Sequence, residues 1–442
     1  RDQGYLRTRN VAFFASAELG WKNMLYLSAT GRCDWASQLV SNGDTPCIFY
    51  PSIGLSGIIS EMVKLPEFIS YLKLRTSYTE VGSPITQTGI TPGTVTDPMS
   101  GGVINPISTY PYPDFKPERT KSYEVGINAR FLNGRISFDG TFYQSNTYNQ
   151  TFLSVMSPAT GYSGFYVQAG NVRNRGVEMT LGYNDTFGKV NYSTHLTYTA
   201  NQNKIVEMVH DYRNPIDNSL VNITELTLKE VGDVYLREGY SMSDVFTTGI
   251  LQRGRDGKLV EEGNGYQVDR SQRIRLGSAD PDFTMGWRHD INYKNISLGL
   301  MITGRFGGIV TSQTQAFMDA FGVSKVSAEA RDNGGVMLDG HRYDAERYYN
   351  TVGGQGLMSY YTYDATNVRL QELSLTYSLP KKWLGDVFNN ATISFVGRNL
   401  FMFYRKAPFD PDMNGSTGTY NRSDFFMAPS LRNLGFSIKF SL

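Results

Sequence analysis

The sequence predicts an all-β protein: a transmembrane antiparallel β-barrel of which about thirteen C-terminal strands are present. Three observations predict this fold. Apolar and polar residues alternate at every second position over segments of ten or more residues, as they do in strands with one apolar and one polar face. Tight turns alternate with long polar connections. No stretch approaches the 18 apolar residues of a transmembrane helix.

Composition narrows the class of protein. The 442 residues include 42 Lys and Arg against 41 Asp and Glu, which indicates neither a nucleic-acid-binding surface nor an acidic solvating tail. The chain also has 29 Tyr, 25 Phe and 45 Gly. Aromatic residues favour strands, and they form the girdles at the two interfaces of membrane barrels.

The alternation is clear between residues 122 and 131. One face of this segment is apolar and the other is polar: Tyr123, Val125, Ile127, Ala129 and Phe131 against Glu124, Gly126, Asn128 and Arg130. The pattern resumes after an Asn133-Gly134 turn. Strands of soluble sandwiches usually run five or six residues, so the length of these segments favours a barrel.

The same pattern predicts thirteen strands along the chain. They lie near 10–20, 23–33, 48–60, 71–82, 119–132, 135–149, 173–185, 189–201, 282–293, 295–306, 366–379, 391–402 and 432–442. Bacterial single-chain barrels have even strand counts, and thirteen is odd. We therefore expect further strands upstream. The opening residues RDQGYLRTRN contain no apolar signal-peptide core, so either the mature N-terminus lies here or an upstream part of the chain is absent, and the odd strand count favours the second interpretation.

The connections alternate in length. Tight turns or short linkers follow every second strand, and long polar connections lie between them, at about 34–47, 83–118, 150–172, 202–281, 307–365 and 403–431. Periplasmic turns and extracellular loops differ in this way in outer-membrane barrels, so the pattern predicts a bacterial outer-membrane location. The two longest connections exceed what a simple connector needs, and we expect them to dock a partner.

Several ordered segments resemble the SusC/RagA-type TonB-dependent outer-membrane transporters of Bacteroidetes. They are FYPSIGLSGIIS, LKLRTSYTEVGSP, DFKPERTKSYEVGINARFLNGRISFDGTFY, GNVRNRGVEMTLGY, SADPDFTMGWRHDINYKNISLGLMITGRFG, VRLQELSLTYSLP and GRNLFMFYRKAPFDPD. The resemblance implies a 22-stranded barrel whose plug and TonB-contacting segment lie upstream. It also implies a SusD-like surface lipoprotein as partner and an oligosaccharide or oligopeptide as imported cargo.

Two groups of residues are candidates for function. Charged side chains on the polar faces are expected to line the lumen and compensate one another around the plug: Arg75, Arg130, Asp139, Arg288, Asp290, Arg305 and Arg398. Aromatic side chains in two connections are candidates for cargo binding, with interfacial girdle or loop packing as the alternative: Tyr110, Tyr112, Tyr162, Phe165 and Tyr166.

Other motifs are weaker. Asp410, Asp412 and Asn414 copy the first half of a calcium loop, but its closing glutamate is replaced by asparagine, so no metal and no other cofactor is expected. Cys33 and Cys47 could form a disulfide or remain two thiols. The four histidines, His195, His210, His289 and His341, are scattered and predict no enzyme.

The leading interpretation is active nutrient import across the outer membrane by this barrel. A passive porin or surface adhesin barrel is one alternative, and a plug sequence upstream would distinguish it, because a passive pore has none. A soluble glycan-binding β-sandwich is another, and detergent-free solubility of the folded protein would favour it.

Overall fold

A computed structural model describes residues 9–37, 47–83, 109–110, 116–155, 157, 159, 161–213, 219–228, 234–384, 388–412 and 423–441. Within these residues thirteen long strands pair in sequence order in one antiparallel sheet. They are β1 Asn10–Trp21, β2 Leu25–Ala36, β3 Ile48–Ile58, β4 Ile69–Ser83, β5 Glu118–Phe131, β6 Ile136–Val155, β7 Gly164–Phe187, β8 Val190–Glu207, β9 Phe283–Tyr293, β10 Ile296–Phe306, β11 Asn367–Ser378, β12 Asn390–Arg405 and β13 Asn433–Ser441.

The remaining elements are short. The helices are α1 Ile59–Met62, α2 Gln313–Ala320, α3 Lys325–Asp332 and α4 Ala345–Val352. Short antiparallel strand pairs occur in the connections: Val209–Arg213 with Leu220–Ile223, Glu225–Thr227 with Tyr235–Arg237, Asp244–Leu251 with Val268–Ser278, Glu261–Glu262 with Gly265–Tyr266, and Val336–Leu338 with His341–Tyr343. Among the described residues, no helix combines the length and the apolar character that crossing a membrane would require.

Contacts divide the chain into two compact units. The first comprises Arg1–Asn184 and Thr197–Met242, and the second comprises Asp185–Leu196 and Ser243–Leu442. The boundary therefore passes through both β7 and β8. The first unit holds β1 to β6, β7 up to Asn184 and β8 from Thr197, and the second holds the rest of the sheet together with α2 to α4.

In the first unit the register aligns apolar side chains across the strands. One cross-strand row runs through Leu19, Leu27, Leu55, Thr76, Val125, Phe142 and Val177. We call the side that carries this row the apolar face. Its large side chains are exposed to 67% at Leu19 and 59% at Val125, so they pack on no second sheet within the described chain. We call the opposite side, which carries Glu18, Ser28, Ser77 and Glu124, the polar face.

The second unit repeats this arrangement. A row of apolar side chains crosses five strands through Ile291, Leu298, Leu375, Phe395 and Phe436. The intervening residues on each strand, such as Arg288 and Glu372, lie on the polar face. The same sheet-wide separation of faces therefore holds in both units, because side chains alternate along every strand.

Several strands are longer than predicted. β6 continues to Val155 and β7 begins at Gly164, so the predicted connection 150–172 shrinks to residues 156–163. β8 extends to Glu207 instead of 201. The prediction placed strand ends where the apolar alternation stops. Backbone pairing does not require that alternation, and these hairpins continue beyond it.

Two long connections contain more structure than predicted. The connection 307–365 folds into α2, α3 and α4, where only an irregular loop was expected. Asp244–Leu251 pairs with Val268–Ser278. Between these two strands, Arg253 pairs with Leu259 around a tight turn, and the Val260 N–H donates to the Gln252 carbonyl oxygen at 3.0 Å.

Candidate functional site: the polar face and the folded connections

The polar face of the first unit carries a bidentate ion pair across three strands. Arg75 on β4 donates from Nη1 and Nη2 to the two carboxylate oxygens of Asp139 on β6, at 3.1 and 2.8 Å. Asn128 on the intervening β5 donates to Asp139 at 2.7 Å. Gly126 lets the guanidinium cross β5, since a Cβ there would lie 2.5 Å from Arg75 Nε. A fork-to-fork pair of this kind fixes the orientation of both side chains.

A second charged cluster lies on the polar face of the second unit. Arg288 on β9 donates to both oxygens of Asp290 at 2.8 Å. Arg398 on β12 donates to Glu372 on β11 at 3.1 Å, and Arg288 lies 3.9 Å from the same carboxylate. Gly299 on β10 again provides the space, because its Cβ would lie 2.5 Å from Ser374 Oγ and 3.3 Å from Asp290.

The other two predicted charges also lie on the polar face. Arg130 stacks over the Tyr71 ring at 5.4 Å, and Arg305 donates from Nη2 to the Ala279 carbonyl oxygen at 2.6 Å. All seven predicted charged residues thus lie on this face. The prediction missed Glu372, which links Arg288 to Arg398, although its place in the alternation of β11 could have revealed it.

Within the second unit, the later part of the connection 202–281 and the connection 307–365 fold together into one body. Its core includes Leu251, Leu259, Tyr266, Tyr343, Tyr348, Tyr349, Val352, Leu357 and Tyr361. Hydrogen bonds join the two connections: the Leu259 N–H donates to Tyr343 Oη at 3.1 Å, and the Tyr266 N–H donates to Thr351 Oγ1 at 3.0 Å. An ion pair between Arg347 and Glu261 at 3.1 Å adds a contact at the surface.

The tyrosines of this body are structural. Burial raises the pKa of Tyr348 and of Tyr361 far above the ordinary phenol value, with nearby Tyr360 and Asp319 as the next causes respectively. Burial and Asp319 together raise the pKa of Tyr363 to about 12. These phenols therefore stay protonated at any physiological pH, and they serve as large apolar side chains with one polar end.

The predicted cargo-binding aromatics lie at the ends of strands in the first unit. Tyr166 on β7 packs against the buried cluster of Ala36, Ile48 and Tyr50. Phe165 precedes it on the same strand and is half-buried, as is Tyr162. Tyr110 belongs to a two-residue strand that pairs with the beginning of β7. Tyr112 lies outside the described residues.

The candidate calcium ligands contact an arginine instead. Asp410 and Asp412 lie 3.0 and 2.6 Å from Arg369 Nη2, and the side chains of Arg369 and Asp410 are 8% and 9% exposed. A bound calcium ion would need the carboxylates of Asp410 and Asp412, and the Arg369 guanidinium already pairs with both. Asn414 lies outside the described residues. No group of three or more His, Cys, Asp or Glu suited to a metal occurs in the part of the chain that the structure describes.

Cys33 and Cys47 are joined by a disulfide, with their Cα atoms 5.6 Å apart. The strands bring them together, since Cys33 on β2 lies opposite Phe49 on β3. The distance is ordinary for a disulfide. His195, one of the four scattered histidines, lies half-buried on β8.

Comparisons with known proteins agree with this architecture. The family model described as TonB dependent receptor-like, beta-barrel matches residues 1–303. TonB-dependent receptor P3 of Formosa agariphila is 24% identical over 98% of this chain and 46% of its own length. TonB-dependent receptor SusC of Bacteroides thetaiotaomicron is 23% identical over 100% of this chain and 45% of its own length. The chain therefore spans about half the length of the curated relatives it matches.

The fold also matches a solved structure. The RagAB peptide transporter superposes with a TM-score of 0.73 at 16% identity, over 98% of this chain and 47% of the transporter chain. The prediction of an antiparallel outer-membrane barrel, present in part, is confirmed. The chain belongs to the TonB-dependent receptor-like β-barrel family, whose members are outer-membrane transport proteins and not enzymes.

Proposed function

We propose that the full-length protein actively imports oligosaccharide or oligopeptide nutrients across the outer membrane. The observation that carries this proposal is that similarity to a SusC receptor, together with a fold match to a peptide transporter, extends over nearly the whole chain. The paired charges on the polar face support it further. Paired charges keep the polar face hydrated, and an upstream plug could pack against this face without an apolar interface.

The inferred partners are a SusD-like surface lipoprotein and the TonB complex. The folded body formed by residues 244–278 and 309–365 supports docking of the lipoprotein, because a rigid surface loses little conformational entropy on binding. Coupling to the TonB complex would use the plug and the TonB-contacting segment upstream.

Cargo contacts are proposed on the aromatic residues just before and at the beginning of β7. Tyr162 and Phe165 are half-buried, whereas Tyr166 is packed against Ala36, Ile48 and Tyr50 and would hold the other two in place. Tyr110 and Tyr112 precede this region in sequence and belong to the same proposal. Aromatic rings can stack on the apolar C–H faces of sugars and also pack on peptide side chains.

The test is uptake in cells. A strain lacking the gene is complemented with the full-length protein, and uptake of labelled oligosaccharides and oligopeptides is measured with and without a proton-motive-force uncoupler. We expect one cargo class to enter only in complemented, energised cells. Uptake that survives the uncoupler would identify a passive porin, and no difference between complemented and deleted strains would refute import.

A further inference from the structure

A band of cations begins where the apolar face turns polar. Following that face along β4 to β7 away from the tight turns, the first stretch of mainly apolar side chains stops at Tyr78, Tyr123, Phe142 and Val177. Tyr148 lies further along the same face of β6, with its ring centre 5.8 Å from Lys121 Nζ. The next side chains on the same face are Glu80, Lys121, Gln144 and Arg175, and beyond them lie Arg119 and Arg173. We call Arg119, Lys121, Arg173 and Arg175 the cation band.

The register brings these cations within reach of one ligand. Lys121 lies opposite Asn146, which lies opposite Arg173, so the two cations share a cross-strand row. Two strand spacings separate them, which is about 10 Å. Arg175 is two residues from Arg173 on the same face. Long cationic side chains at such separations can converge on one or two phosphate groups.

The charges of the cation band are only partly neutralised. Glu80, whose side chain is 11% exposed, lies 3.1 Å from Arg119 and 3.8 Å from Lys121. Arg175 donates to the Gln202 side-chain oxygen at 2.8 Å, which adds no charge. Across the residues that the structure describes, neither Arg173 nor Arg175 has a carboxylate within 4.0 Å. Four cations and one carboxylate leave a net charge of +3.

The position of the cation band indicates what it binds. The apolar rows beside it lie at the level of acyl chains in an outer-membrane barrel, and Tyr78 and Tyr123, in ring contact at 4.8 Å, mark the girdle between them. Phosphates of lipid headgroups lie just beyond a girdle. Guanidinium groups bind phosphate in a bidentate manner. We propose that the cation band binds the phosphates of an anionic lipid headgroup in the outer leaflet.

Lipid retention by the purified full-length receptor tests the proposal. The receptor is incubated in detergent with bisphosphorylated lipid A or with the same lipid after removal of its phosphates, and bound lipid is quantified by mass spectrometry. Each cation near a membrane surface contributes about a fivefold change in affinity. The triple variant Lys121→Gln/Arg173→Gln/Arg175→Gln should therefore lose on the order of a hundredfold in affinity for the phosphorylated lipid only.

Two variants serve as controls. Lys73→Gln/Arg130→Gln removes cations from the polar face of β4 and β5 and should retain wild-type lipid binding. Arg173→Lys/Arg175→Lys keeps the charge and should retain most of it. Heat-dependent mobility in gels verifies that each variant is folded. The proposal is overturned if both lipids bind equally, if the triple variant binds as wild type, or if free inorganic phosphate displaces the lipid at comparable concentration.

Discussion

Arg369 on β11 is a buried cation, with 6% of its surface exposed, and its partners decide what it does. Its guanidinium contacts Asp410, Asp412 and the Asn367 side-chain oxygen, so the connection after β12 is fastened to β11. Burial by itself would raise the pKa of Asp410. Hydrogen bonds from Ser430 and the Asp412 N–H, together with Arg369, outweigh burial and lower that pKa.

Replacing Arg369 with methionine should destabilise the protein strongly. The substitution leaves the Asp410 carboxylate buried without its cation, which costs about 3–5 kcal/mol in comparable cases. Protease resistance of the connection after β12, measured on the full-length receptor in detergent, should fall. Lys406→Ala is the matched control, since it removes the exposed pair with Asp364 and should cost much less. Equal effects of the two variants would contradict this account.

The stabilisation by Asp410 should disappear in acid. Its pKa is lowered in the folded state, so the stabilisation is complete above the ordinary value of 3.8 and is lost as pH falls through the folded-state pKa. The difference in melting temperature between wild type and Asp410→Asn should therefore be constant from pH 7 to pH 5 and shrink below about pH 4. A difference that grows towards low pH would reverse the sign and refute the argument.

At the scale of elements, the strands separate two solvents. On β7, Leu181 lies on the apolar face and is 47% exposed, while its neighbour Thr180 lies opposite Asp139 on the polar face. One residue along a strand thus changes the surroundings from acyl chains to a hydrated, charged surface. The side chains of the apolar face pack on no second sheet within the described chain. We therefore expect contact with lipid to stabilise them.

A lysine at position 181 should destabilise the protein much more than a lysine at the neighbouring position 180. Leu181→Lys puts a cation among acyl chains and should cost about 2–4 kcal/mol. Thr180→Lys places the same cation beside Asp139 and should cost much less. Unfolding by guanidinium in lipid vesicles measures both. Comparable destabilisation by the two substitutions would show that the faces are misassigned.

Sequence predicted the strands well and their continuation poorly. Alternation located all thirteen, because lipid and water impose a period of two on each membrane-crossing segment. The pairing of β6 beyond residue 149 with β7 before residue 173 left no such signal, since neither face there meets lipid.

The helices were missed although their caps are in the sequence. Ser312, Ser324 and Asp344 each accept a hydrogen bond from the backbone N–H three residues later, at the N-termini of α2, α3 and α4. Helix caps of this kind are recognisable locally. The partners of the long connections were not predictable, because hydrogen bonds such as Leu259 to Tyr343 join residues far apart in sequence.

At the scale of the whole molecule, the described sheet has two unpaired edges. β1 pairs with β2 alone and β13 pairs with β12 alone. Unpaired backbone groups cannot face acyl chains, so the sheet requires further strands. Relatives about twice as long are consistent with this requirement.

The 442-residue chain by itself should therefore not insert into membranes. Refolded with lipid vesicles, it should show no heat-dependent change in gel mobility and no protease-protected core, whereas the full-length receptor should show both. A stable inserted form of the isolated chain would mean that its own edges can close.

The separation of the sheet into a lipid-facing and a water-facing side is the central claim, and thiol labelling along β5 tests it most directly. Single cysteines are placed from residue 122 to 130 in the full-length receptor, on a Cys33→Ala/Cys47→Ala background, and treated in lipid vesicles with a water-soluble maleimide. Positions 122, 124 and 130 should react, and positions 123, 125 and 127 should be protected until detergent without lipid replaces the bilayer. Reaction without this alternation, or with the opposite one, would contradict the account.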